Sequence, residues 1–240
     1  MVEKVEGIVL RTIKYSDNSF IIQLYTKERG RISCIAKGLR SKSSKFSPSF
    51  FHPFFVINAE IFYNPKKEIH PIKEVNLKNS LNKLREDHSK LAVAMFLAEV
   101  LNKTVRYQNT DEQLFDFLEN MIYKLDIEEN SSANFHIYFL LGLSHYLGFY
   151  PVNNYSPNAK YFDLLNACFV EFQSGSQTIN AELSEILKNF MTIENEEFWK
   201  ISLNSLQRRK FIGALLNYYT LHTGTNMDVK SLEVLTEVFS

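Results

Sequence analysis

Between residues 27 and 45 the chain carries seven cationic side chains, Lys27, Arg29, Arg31, Lys37, Arg40, Lys42 and Lys45, against a single acid, Glu28. The last four lie in AKGLRSKSSKF (36–46), among Gly38 and three serines. The chemistry such a set can perform is polyanion binding: each ammonium or guanidinium that meets a phosphate releases a condensed counterion. Serine hydroxyls and backbone N–H groups add hydrogen bonds to phosphate oxygens, and Gly38 permits close backbone approach. The plain alternative is a solvated connector whose charge keeps an edge strand from pairing with another chain. The residues alone leave both readings open.

Other chemistries find little support. The chain has no GxxxxGK[ST], no GxGxxG, no GxSxG and no HExxH. His136 and His145 share one helical stretch but stand nine residues apart, about 180° around a helix, so they cannot hold a metal jointly. Both read as packed or surface histidines. Cys168, beside Phe169, reads as a small apolar residue with no paired histidine to make it a nucleophile. The acidic run ENEE (194–197) reads as a helix start or solvated face rather than a metal site. Arg208, Arg209 and Lys210 stand out in an otherwise acidic half. Three consecutive positions cover about 200° of helix, so they are an exposed face, or a cationic rim beside an apolar groove suited to an acidic, hydrophobic peptide. Nothing here points to catalysis or to a cofactor, and the chain is expected not to be an enzyme.

Net charge is zero, yet residues 1–80 carry 14 Lys and Arg against 7 acids, and the remainder 13 against 20. Opposite charge in two segments predicts two units with different partners, the basic one facing a polyanion. Hydrophobic content of 45% with 14% aromatics predicts an ordered globular chain. The opening MVEKVEGIVLRT lacks the layout of a signal peptide, and no apolar run is long enough to span a bilayer. Cys34 and Cys168 form no CxxC pair, which fits a reducing compartment. The expected location is cytoplasmic.

The elements that must position the cations read as strands. VEGIVLRTIKY, SFIIQLYTKE and RISCIAKG alternate or carry β-branched and aromatic residues, with turns at YSDN and ERG. Ile32, Cys34 and Ala36 share one face, and Arg31, Ser33, Ile35 and Lys37 the other. FFHPFFVINAEIFY and KEIHPIKEVNL add two strand-like runs, with Pro53 and Pro71 at bends or edges. Their phenylalanines are expected to fill a core rather than to stack on bases. Five short strands with no crossover helix predict a small closed barrel, an architecture used for single-stranded nucleic acid. From Leu81 the period becomes helical, through KLAVAMFLAEVLNKTV, QLFDFLENMIYKL, the all-round apolar NFHIYFLLGLSHYLGFYP, AELSEILKNFM, LNSLQRRKFIGALLNYYTLHT and VKSLEVLTEVF. The reading is therefore α+β: a barrel over 1–80 and an all-helical domain over 81–240, with an irregular stretch near 150–178 that holds a short hairpin around YFDLLNACFVEF.

Taken in order, GIVLRTIKYSDNSFIIQLYTKERGRISCIAKGLRSKSS, the HPF at 52–54, the EIFY at 60–63 and the closing RRKFIGALLNYYTLHTGTNMDVKSLEVL resemble the RecO family of bacterial DNA repair proteins. The resemblance implies a five-stranded OB-fold followed by a helical domain. It implies a recombination mediator that binds single- and double-stranded DNA and anneals complementary strands. It further implies work with RecR to load the RecA recombinase onto strands coated by single-strand-binding protein, contact with that protein's acidic, hydrophobic C-terminal tail, and association with the nucleoid.

On the AKG-R-loop pattern of the family, Lys37, Arg40 and Lys42 are the expected DNA contacts. Charge adds Lys45, Arg31 and Arg11, and Arg208 and Arg209 are the expected partner contacts. Many relatives carry a four-cysteine zinc cluster after the "GF-P" turn, here 148–151. Between 153 and 172 this chain has only Cys168, so no metal is expected, and Tyr155, Tyr161, Phe162 and Phe169 are the candidates to hold that segment by packing. The competing expectation is a non-catalytic OB-fold adaptor for other proteins, with incidental nucleic-acid affinity.

Overall fold

A computed structural model describes residues 1–38, 46–105, 110–129, 132–193 and 197–239. Strands β1 (Val2–Ser16), β2 (Ser19–Thr26), β3 (Gly30–Lys37), β4 (Val56–Phe62) and β5 (Ile69–Leu77) close into a barrel in the order β1-β2-β3-β5-β4. That is the expected OB-fold. All neighbours are antiparallel except β3 and β5, which run parallel through Ser33↔Ile69 to Ile35↔Pro71.

Closure depends on β1. Its first half pairs with β4 (Val2↔Phe62 to Ile8↔Val56) and its second half with β2 (Gly7↔Thr26 to Ser16↔Ser19). A bulge between Val9 and Arg11 bends the strand where it passes from one partner to the other. At Gly7 a Cβ would lie 3.1 Å from the Thr26 methyl, a tight contact that the glycine avoids. Inside, Val5, Val9, Ile22, Leu24, Ile32, Cys34, Ala36, Ile57 and Ile61 form a core with Phe46 and Phe51.

The run FFHPFFVINAEIFY is strand only in its second half. Pro48–Phe51 forms a 3₁₀ turn, and Phe54 takes a left-handed conformation (φ 70°) so that its N–H reaches the Val9 carbonyl at 2.7 Å. Phe51, Phe54 and Phe55 are buried, which is the core role expected of them, whereas Phe62 is 47% exposed.

Three helices follow: α1 (Asn82–Glu86), α2 (His88–Thr104) and α3 (Glu112–Ile127). Asp87 caps α2 by accepting from the Ser89 and Lys90 N–H groups, and Asp111 accepts from Leu114 N–H at the start of α3. They belong with the barrel to a compact unit, Met1–Ile127; the second unit is Glu128–Ser240.

The second unit is built on α4 (Phe135–Tyr146), whose residues are buried nearly all round. A small sheet, β6 (Tyr161–Asp163), β7 (Cys168–Val170) and β8 (Thr178–Ile179), has the order β7-β6-β8 and contains the expected hairpin. Helices α5 (Ala181–Met191), α6 (Ser205–Thr223) and α7 (Ser231–Val238) complete it. A reciprocal Asn204/Gln207 capping box opens α6, and Gly224, at φ 64°, closes it. The buried Tyr219 hydroxyl donates to the Leu140 carbonyl at 2.5 Å, tying α6 to α4. No described helix is long and apolar enough to cross a membrane.

Candidate nucleic-acid interface

Most of the described cations of the barrel are engaged within the protein. Lys14 pairs with Asp17 (3.3 Å), Lys4 and Lys73 with Glu60 (4.0 and 2.7 Å), and Lys78 with Glu6 and Glu119 (both 2.5 Å). Lys27 meets Asp116 (3.0 Å) and Glu112 (3.2 Å), whose hydrogen bonds raise its pKa. Arg29 grips Glu3 with Nε and Nη2 at 3.1 and 3.0 Å and lies 4.4 Å over the Tyr63 ring. Arg31 is held by uncharged acceptors, described below, while Arg11, Lys37, Lys66 and Lys67 are exposed and no described residue forms an ion pair with them.

Arg11 and Lys37 share the outer face of β1-β2-β3. Since Ile22, Leu24, Ile32, Cys34 and Ala36 point inward, the alternate positions point outward. Register places Arg11 opposite Gln23 and Gln23 opposite Ser33; the next row is Ile13, Ile21, Ile35 and Pro71, and the next pairs Ser19 with Lys37. The row of three isoleucines and a proline is only half-buried. One end of the barrel's outer surface therefore offers an apolar band flanked by free cations. Such a surface can hold bases against the band while the cations meet phosphates.

The other end of this face is closed. Tyr25, an outward position, is 1% exposed; its ring packs on Phe115 of α3, and burial raises its phenol pKa to about 12. Beside it Arg31 donates from Nη1 to the carbonyls of Asn102 (2.8 Å) and Val105 (2.9 Å), and from Nη2 to the side-chain oxygens of Asn102 (2.8 Å) and Gln23 (3.2 Å). The last carbonyls of a helix have no partners within it and carry its negative dipole end, so a guanidinium suits them. Arg31, expected from its charge to touch nucleic acid, instead fastens β3 to the end of α2.

Of the other expected contacts, Lys37 and Arg11 fall on one surface, while Arg40, Lys42 and Lys45 lie outside the described residues. Lys66 and Lys67 escaped the sequence reading. Their signal is the turn NPKKE, where Pro65 and Asn64 fix the backbone: the Asn64 side-chain oxygen accepts from Lys66 N–H at 2.9 Å and its carbonyl from Lys67 N–H at 3.0 Å. The Ile13–Ile21 part of the apolar row was also missed, because register between strands is not written in either strand alone.

In the second unit Arg208 and Arg209 do come together. They line a pocket of about 190 Å³ with Leu206, Ile212, Leu235 and Phe239. Their roles differ. Arg208 is half-buried, donating to the Asn134 side chain (3.2 Å) and to the carbonyls of Leu203 (3.0 Å) and Phe239 (3.3 Å); Arg209 is exposed. His136, fully buried on the pocket wall, has its pKa pulled down to about 3 by burial and, secondarily, by the Arg208 charge.

The 150–178 segment is held by packing and hydrogen bonds. Asn154 pairs with Phe169 as a strand would, accepting from its N–H (2.7 Å) and donating to its carbonyl (2.9 Å). Tyr155 and Phe162 pack edge-on to the Phe169 ring at 5.2 and 5.1 Å. Among the described residues no group of three or more His, Cys, Asp or Glu is placed to hold a metal ion.

Comparison with known proteins agrees with this architecture. The family described as "Recombination protein O N terminal" matches residues 1–81, and "Recombination protein O C terminal" matches 85–233. The chain is 34% identical over 241 residues to the DNA repair protein RecO of Phocaeicola vulgatus and 35% identical over 241 residues to that of Bacteroides fragilis, with the whole of each chain covered. It is 32% identical to the same protein of Christiangramia forsetii, over 98% of both chains. With the barrel, the helical unit and matches along its whole length, the chain belongs to the RecO family.

Proposed function

We propose that this chain is a non-catalytic recombination mediator of DNA repair. In this reading it binds single- and double-stranded DNA through the outer face of its barrel and anneals complementary strands. Working with RecR, it helps RecA load onto strands coated by single-strand-binding protein. The observation that carries the reading is the sorting of charge: most described barrel cations are engaged by acids or carbonyls, while Arg11 and Lys37 stand free beside an apolar row. The same end of β3 leads into the basic segment that holds Arg40, Lys42 and Lys45. Family membership supplies the biological setting.

The pocket around Arg208 and Arg209 supports the partner role. Its apolar wall and exposed Arg209 suit a chain end that is both acidic and hydrophobic, as the tail of single-strand-binding protein is in this reading. Strand annealing tests both roles together. Complementary oligonucleotides, bare or coated with single-strand-binding protein, are expected to anneal faster with the protein in both states. No acceleration on bare strands defeats the DNA role, and acceleration on bare but not coated strands defeats the partner role. The competing reading, an adaptor for proteins with incidental nucleic-acid affinity, predicts the first of those failures.

A further inference from the structure

The pocket around Arg208 and Arg209 is walled in part by a segment with the chemistry of the peptide it is proposed to take. Helix α7 and the residue after it read SLEVLTEVF (231–239), with two glutamates, no cation and an apolar residue at every other or adjacent position. Leu235, Thr236 and Phe239 of this segment line the pocket together with both arginines.

Phe239 is seated there by three contacts. Its carbonyl accepts from Arg208 Nη1 at 3.3 Å, and its ring lies 6.0 Å from the same guanidinium. The ring also stacks on His136, with 6.4 Å between centroids and 28° between planes. A guanidinium binds an oxygen acceptor and an apolar ring together, and an acidic, apolar peptide brings that same pair of groups. The segment and the peptide therefore ask for the same partners.

Helix α7 is lightly held. Helix α5 buries five side chains and α6 six, whereas α7 buries Leu235 alone. Its Val234 and Val238 are 44% and 41% exposed. A helix of eight residues is marginal by itself, since isolated helices need roughly 12–15, so packing must supply its stability. With one buried anchor and the Phe239 contacts, it can open at a cost below that of the unit as a whole.

We propose that α7 is an intramolecular competitor for the pocket: Phe239 holds the place of an apolar side chain of the incoming acidic peptide, which must displace it to bind. This rests on the pocket being the peptide site. Apparent affinity is then the intrinsic affinity reduced by the fraction of molecules in which Phe239 has left. A Phe239 that were only wall would predict the opposite, because a bound peptide would pack on it and hold α7 more firmly. Arg208 cannot decide between the two, since it serves the competitor and the site alike.

The test is titration of the full chain with an acidic C-terminal peptide of single-strand-binding protein, for the wild type, Phe239→Ala and Arg209→Ala. Phe239→Ala is expected to bind roughly three- to tenfold more tightly, the scale of an aromatic contact removed from the closed state. In the wild type, saturating peptide is expected to quicken hydrogen exchange at the Leu235 and Thr236 amides. Equal or weaker binding by Phe239→Ala overturns the competitor, and so does unchanged or slower exchange in α7. The exchange measurement needs no substitution, so it decides even if Phe239→Ala unsettles the helix. Weaker binding by Arg209→Ala, with none tighter by Phe239→Ala, removes the competitor and leaves the pocket reading in place. Binding that neither substitution alters, or no binding by any of the three, defeats both.

Discussion

Arg31 and Asn102 meet twice: Nη1 donates to the Asn102 carbonyl and Nη2 to its side-chain oxygen, both at 2.8 Å, across 71 positions of sequence. The same guanidinium reaches the Val105 carbonyl at 2.9 Å. A basic residue in a basic strand thus serves as the C-terminal clamp of a helix. Arg31→Ala should destabilise the Met1–Ile127 unit by roughly 2–3 kcal/mol, the scale of charged hydrogen bonds lost from half-buried carbonyls. Arg31→Lys should recover only part of that, because an ammonium cannot reproduce the planar fork. Urea denaturation midpoints measure the loss. Affinity of the folded variant for single-stranded DNA should stay near that of the wild type, and a large drop in affinity without a stability change would reverse the assignment.

His136 should make the second unit sensitive to acid. Its pKa lies near 3 when folded and near its ordinary 6.5 when unfolded. Between those values the unfolded chain binds a proton that the folded chain refuses, so stability falls as pH drops from 6.5 toward 3, by up to about 1.4 kcal/mol per pH unit. Melting curves of the wild type and His136→Leu across this window test the point. The variant should lose less stability on acidification; parallel curves would place the sensitivity elsewhere.

Asn154 should be worth more than a loop asparagine. Its two bonds to the Phe169 backbone stand where an edge pairing would otherwise be missing, so Asn154→Ala should cost roughly 1–3 kcal/mol. Hydrogen exchange at Phe169 should quicken first. Protection unchanged at that amide would show that the aromatic packing alone holds the segment.

Arg208 and Arg209 should separate in function. An acidic C-terminal peptide of single-strand-binding protein, titrated against Arg209→Ala, should bind up to roughly fivefold more weakly with no loss of stability, as for a charge at the rim of a site. Arg208→Ala should lose both stability and affinity, since three of its hydrogen bonds hold Asn134, Leu203 and Phe239. Undiminished affinity in the double variant would move the tail site off this pocket.

Much of the architecture is legible because strand and helix periods are local. The inward set Ile32, Cys34 and Ala36 follows from alternation, and α4 from its all-round apolarity. What escapes is long-range. Which cations are free depends on partners such as Glu3 for Arg29 and Glu119 for Lys78, far away in sequence. Arg31 and Lys37 look alike in RISCIAK, yet one meets the end of α2 and the other meets solvent. Phe54 shows the same limit for backbone: its left-handed turn serves a bond to Val9, and nothing in HPFFV announces it. Helix α1, five residues long, is too short to display a period.

The central claim is that the cationic end of the barrel binds DNA. Its most direct measurement is the affinity for a single-stranded oligonucleotide, at one fixed salt concentration, of the chain carrying Lys37→Glu, Arg40→Glu and Lys42→Glu. The account predicts a loss of at least tenfold, with the variant still folded, because three phosphate contacts are replaced by repulsion. Affinity equal to that of the parent would contradict it.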